Sequence, residues 1–73
     1  MHQIFIPTGD LSRREYWLHH PRSVADLEAM GDALQSGAEI ELEGRSGETL
    51  QAWLHFHPEV NCWIAYPDRN WAK

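Results

Sequence analysis

The sequence predicts an α+β fold: a small two-layer domain with one helix packed on one face of an antiparallel sheet, in the order β-β-α-β-β-β. Three observations carry that expectation. Residues 38–43 and 50–57 alternate apolar and polar side chains with the two-residue period of a strand. Residues 24–34 place apolar side chains at helical spacing. Turn-forming Gly, Pro, Asn and Asp fall between the segments. The 73 residues allow one core and are read as a single domain, 1–73.

Gln3-Ile4-Phe5-Ile6 is a short β-type run, closed by Pro7-Thr8-Gly9-Asp10. Residues 11–20 fit two readings. Ser12-x-x-Glu15 resembles a capping box that would open a short helix. The same stretch fits a strand with Tyr16 and Leu18 on one face and Glu15, Trp17 and His19 on the other. The strand is expected, paired antiparallel with residues 3–6. The helical alternative gives β-α-α-β-β-β with the same C-terminal layer. Pro21 ends either form, because the residue before a proline is pushed out of helical geometry.

Ser23 is placed to cap the helix, with Asp26 in its first turn. Val24, Leu27, Met30, Gly31 and Leu34 make its apolar face, and Gly37 is placed to end it. Ala38–Glu43, a Gly44–Gly47 loop and Leu50–His57 then read as a hairpin. Pro58-Glu59-Val60-Asn61 turns the chain into a last strand, Cys62–Tyr66. The helix is expected to cover Ile40, Leu42, Leu50, Ala52, Leu54, Phe56 and Ile64. Trp71 is expected to fold back on the body.

Eleven acidic residues oppose six basic ones, for a net charge of −5. Nucleic-acid affinity comes mainly from cations that neutralise phosphates, so direct nucleic-acid binding is not expected. The same balance disfavours an anionic membrane surface, and no apolar run approaches the roughly 20 residues of a membrane span. Residues 1–6 are too short for the apolar core of a signal peptide, so a cytoplasmic location is expected. The single cysteine, Cys62, excludes an internal disulfide.

Strand alternation leaves one sheet face unexplained by the core. With Ile40, Leu42, Leu54, Phe56 and Ile64 turned to the helix, the other face is expected to carry Glu39, Glu41, Glu43, Gln51, Trp53, His55, His57 and Trp63. Tryptophans rimmed by polar groups often mark protein contacts, so these eight form the candidate protein-binding face. A Trp53–Trp63 cross-strand pair would account for the two rings without a partner.

His55-x-His57 puts two imidazoles on one face, and Glu59 or Cys62 could extend the set toward a metal site. The paired Cys or His-Glu spacings of dedicated zinc sites do not occur, so neither metal nor cofactor is expected. His55-Phe56-His57-Pro58 resembles the H-x-H-P segment of the JAMM metalloprotease family over those four residues. Tyr66 stands near the place of the family's serine and Asp68 falls out of register with its aspartate, so no catalytic role is carried over. His19 and His20 are adjacent and point opposite ways on a strand. Ser12, Ser23, Ser36 and Ser46 fall in caps and turns, and no phosphate-binding glycine motif appears.

The expectation is therefore a small acidic, non-enzymatic protein-binding module. Its partner would be another protein, with a basic surface meeting the three-Glu strand in a salt-sensitive contact. An inhibitor of a host complex is one form of this class, which by analogy of type includes the anti-CRISPR proteins of phages and mobile elements. The alternatives are a structural homodimer and a His-based metal binder.

Overall fold

Alternation and turn residues give five strands and one helix, and the computed structural model, which describes residues 2–68, arranges them as an α+β fold around a mixed, curled sheet. The strands are β1 (Gln3–Phe5), β2 (Tyr16–Trp17), β3 (Glu39–Glu43), β4 (Thr49–His57) and β5 (Cys62–Tyr66). Helix α1 (Pro21–Glu28) lies between β2 and β3 and is followed by a single 3-10 turn, Gly31–Ala33. The sheet order is β1-β3-β4-β5-β2. The expected position of Trp71 lies outside the described residues.

The meander β3-β4-β5 follows the alternation. Ile40 faces Ala52 and Leu42 faces Leu50 across β3 and β4. The connecting loop closes with Gly44 N–H donating to the Glu48 carbonyl at 2.7 Å, and Gly47 takes φ +90° there. Gly44 itself is buried against the β1–β2 connection. A Cβ on it would stand 3.0 Å from the Thr8 carbonyl oxygen, so only glycine fits without a backbone shift.

The expected all-antiparallel sheet and the pairing of residues 3–6 with 12–19 are both corrected. β1 runs parallel to β3, with Ile4 beside Leu42. β2 lies at the opposite edge, antiparallel to β5, with Tyr16 facing Ala65. Antiparallel neighbours in a hairpin are joined by about 2–5 residues, and the connection here, residues 6–15, is long enough to cross to the far edge. The sheet curls, so both edges still meet one core. Ile4 and Ile6 from the β1 side and Tyr16 and Leu18 from the β2 side pack with Ile40, Leu42, Ala52 and Leu54. The expected inward pair Tyr16 and Leu18 is thus observed, with Trp17 turned outward.

The helix starts earlier and stops earlier than its periodicity predicts. His20 is the cap, its Nδ1 accepting the Arg22 amide at 3.2 Å, and Pro21 fills the first turn, where its missing N–H costs nothing. Ser23 is not the cap. It is buried inside α1, and its hydroxyl donates to the Phe5 carbonyl. Gly31 at φ +59° ends the helical path, six residues before Gly37. Leu27 and Met30 enter the core, whereas Val24 stays 38% exposed. Among the described residues no helix is long and apolar enough to cross a membrane.

Candidate functional site

Strand register decides which side chains share a surface. The four-residue turn Pro58–Asn61, with Asn61 at φ +49°, sets His57 opposite Cys62. Every later pair follows: Phe56 faces Trp63, His55 faces Ile64, Leu54 faces Ala65 and Trp53 faces Tyr66. Residues directly opposite in an antiparallel pair point to the same side. Trp63 and Ala65 therefore lie with Leu54 and Phe56 on the core side, and Cys62, Ile64 and Tyr66 lie with Trp53, His55 and His57 on the outer side. This reverses the expected facing of the last strand.

The outer face holds seven of the eight residues predicted for binding. Glu39 and Gln51 are exposed, and Glu41, Glu43, Trp53, His55 and His57 are half-buried. Several of their polar groups are hydrogen-bonded within the set or to neighbours on Gln3, Glu59 and Tyr66. The Gln3 amide donates to Glu41 at 2.8 Å, and the Gln51 amide donates to Glu39. His57 bridges two strands, with Nδ1 2.8 Å from Glu59 Oε1 and Nε2 2.7 Å from the Tyr66 hydroxyl. A neutral imidazole protonated at Nδ1 donates to the carboxylate and accepts from the hydroxyl. Glu59's carboxyl is held below its ordinary range by its own backbone amide and then by His57. Burial, with the carboxylates of Glu15 and Glu59 nearby, pushes the Tyr66 hydroxyl up.

The His55 and His57 rings meet edge to face, 4.9 Å between centroids. Both ring nitrogens of His57 are occupied by Glu59 and Tyr66. Among the described residues no group of three His, Cys, Asp or Glu side chains is placed to hold a metal ion.

Trp63, the eighth predicted residue, belongs to a different surface, so the expected face does not hold both tryptophans, and the alternative Trp53–Trp63 pair does not form either. Its ring packs at 5.3 Å on Phe56, against the core. The two rings form the floor of an apolar cleft at the end of the sheet, between α1 and the β4–β5 turn. The cleft measures about 470 Å³ and is lined by Val24 and Leu27 of α1, Leu34, Val60 of the turn, Leu18 and Trp17. Cys62 also lines it. His19, Glu28 and Asn61 supply its polar groups.

The cleft exists because α1 is short and is drawn toward β1. The hydroxyl of Ser23 and the carboxylate of Asp26 bind the carbonyl and amide of Phe5, which tie the helix to that edge. The far end of β4 and β5 is left without a helical cover. The three large apolar side chains most exposed among the described residues are Trp17 at 45%, Val24 at 38% and Val60 at 46%, and all three line this one cleft.

Periodicity did not point to this cleft, since Val60 lies in a turn and Val24 on the helix's nominal inner face. The countable turn between His57 and Cys62 was the available signal, because its length alone sets the facing of Trp63. The chain matches no protein-family model, no curated protein and no solved structure in the comparisons made.

Proposed function

We propose that this chain is a small acidic protein-binding module that acts by docking, with the apolar cleft as its contact surface. The carrying observation is the convergence of Trp17, Val24 and Val60 on a single cleft floored by Phe56 and Trp63. Large apolar side chains scattered singly on a surface are ordinary, but a contiguous set rimmed by polar groups is typical of interaction sites. Tryptophan is also the residue type most enriched among interface hot spots. An inhibitor that occupies a surface of a host protein complex is one form such a module takes.

The outer face of the sheet is the weaker candidate under this reading. Its carboxylates and amides pair across strands, which favours a solvated face that needs no partner. The absence of paired-ligand spacings in the sequence supports the non-enzymatic reading.

Affinity purification from the native host, with wild type and two variants in parallel, tests the assignment. A protein retained by wild type and by Glu39→Lys but lost with Val60→Asp supports cleft docking. Loss with Glu39→Lys and retention with Val60→Asp assigns the contact to the outer face.

A further inference from the structure

We infer that the occupant of the cleft is the apolar side of a short amphipathic helix flanked by Lys or Arg, presented by a partner protein; this rests on the docking role proposed above. The cleft's volume of about 470 Å³ falls in the range of small binding pockets, roughly 300–1,000 Å³. Its polar groups are confined to His19, Glu28 and Asn61, against nine other lining residues that are apolar or aromatic or, in Cys62, weakly polar.

A helix satisfies its own backbone hydrogen bonds and brings only side chains to a groove. An extended segment needs an open strand edge to pair with, and the strand beside this cleft, β2, is two residues long. The lining therefore suits a helical guest.

Charge selects the flanks of that guest. Among the described residues Glu28 is the one carboxylate that lines the cleft, and no Lys or Arg lines it. Exposed Glu59 directly precedes Val60 in the turn, with its carboxylate 2.8 Å from His57 Nδ1. Of the described cations, the Arg22 guanidinium stands 3.9 Å over the Phe5 ring, Arg14 lines a hollow with Glu15, Tyr66, Pro67 and Asp68, and Arg13 lines both that hollow and another that shares Trp17 and His19 with the cleft. The net charge of −5 adds a long-range attraction for a basic partner.

The test uses two synthetic helix-forming peptides with Leu on one face, one carrying Lys on the other face and one carrying Glu. Binding is read by calorimetry. The Lys peptide is expected to bind, and Val60→Asp or Val24→Asp to weaken it by about tenfold or more. Glu28→Lys is expected to weaken it about threefold or more, while Glu48→Lys, an equal change in net charge on the distant β3–β4 loop, changes it less than about twofold. Circular dichroism checks that each variant folds, and Val24→Asp carries the test if Val60→Asp does not.

Equal binding of the Glu peptide, or equal loss with Glu48→Lys, overturns the charge assignment while leaving cleft docking in place. Binding of neither peptide, with no self-association by sedimentation, overturns the docking role as well. A dimer in sedimentation that Val60→Asp abolishes puts a second copy of the chain in the cleft and overturns the basic-helix occupant.

Discussion

The Asp26 carboxylate accepts the Phe5 amide hydrogen at 2.8 Å, 21 residues apart in sequence. The β1–β3 ladder uses the alternate positions, the His2 carbonyl and the Ile6 amide, so Phe5 turns its own N–H and C=O outward. Ser23 completes the arrangement by donating to the Phe5 carbonyl. A helix side thus serves as the missing neighbour of an edge strand, which keeps that edge from pairing with another chain.

Removing either partner exposes that edge. Asp26→Ala is expected to destabilise the fold by about 1–3 kcal/mol, the cost of leaving a partly buried donor unpaired. Asp26→Asn keeps an acceptor oxygen and is expected to lose less. Urea unfolding measures both, and amide exchange should show Phe5 opening faster in Asp26→Ala than in wild type.

The two central tryptophans are expected to differ in what they hold together. Trp63 packs on Phe56 against the core, so Trp63→Ala is expected to cost about 2–4 kcal/mol, below the full range for a buried Trp because the ring is half-exposed. Trp53 lies on the outer face between Glu39 and Tyr66, and Trp53→Ala is expected to cost about 1 kcal/mol or less. Equal losses in urea unfolding would contradict the register described for β5.

Gly44 and Gly9 provide a matched pair. A Cβ on Gly44 meets the Thr8 carbonyl oxygen at 3.0 Å, whereas one on Gly9 meets only the Ser46 hydroxyl at 3.6 Å, an ordinary contact. The Thr8 carbonyl also accepts the Arg45 amide at 3.0 Å, so any shift strains that bond. Gly44→Ala is expected to destabilise by about 1–3 kcal/mol and Gly9→Ala by much less, read as shifts in thermal midpoint.

Tyr16 sets an alkaline limit on the fold. Burial pushes its hydroxyl above the ordinary tyrosine range, while that hydroxyl donates to the Asp10 carbonyl and accepts the Arg13 amide, each at 3.1 Å. The raised value means the folded state holds its proton more tightly than the unfolded state. The associated stability is fully present below the unfolded value of about 10 and is lost as pH rises through the raised folded value. Urea midpoints between about pH 8 and pH 11 are expected to fall more steeply for wild type than for Tyr16→Phe.

Much of the fold is legible in the sequence, and the exceptions have local physical causes. Ile40, Leu42, Ala52 and Leu54 alternate with polar or aromatic residues, so β3 and β4 could be placed with their correct inner faces. Tyr16 and Leu18 read the same way. Cys62-Trp63-Ile64-Ala65-Tyr66 carries no charged residue to mark its outer side, so its facing depends on the turn before it and not on its own pattern. The outer edge of β1 is held to the helix by Ser23 donating to the Phe5 carbonyl and the Phe5 amide donating to Asp26, contacts that no local period encodes. His20 and Pro21 start the helix by a cap whose imidazole acceptor is rarer than the hydroxyl of Ser23. Among the residues predicted for binding, seven share one face as expected. The cleft was not visible because it joins helix α1 and strand β2 to the distant hairpin of β4 and β5 and its Val60 turn.

The most direct test of the docking surface is amide and indole shift mapping of the isotope-labelled chain during titration with the basic amphipathic peptide. The account predicts saturable shifts at Val24, Leu27, Phe56, Val60 and the Trp63 indole, with Glu39, Glu41 and Gln51 unmoved. Shifts confined to Glu39, Glu41, Gln51 and Trp53, with the cleft residues silent, would contradict it.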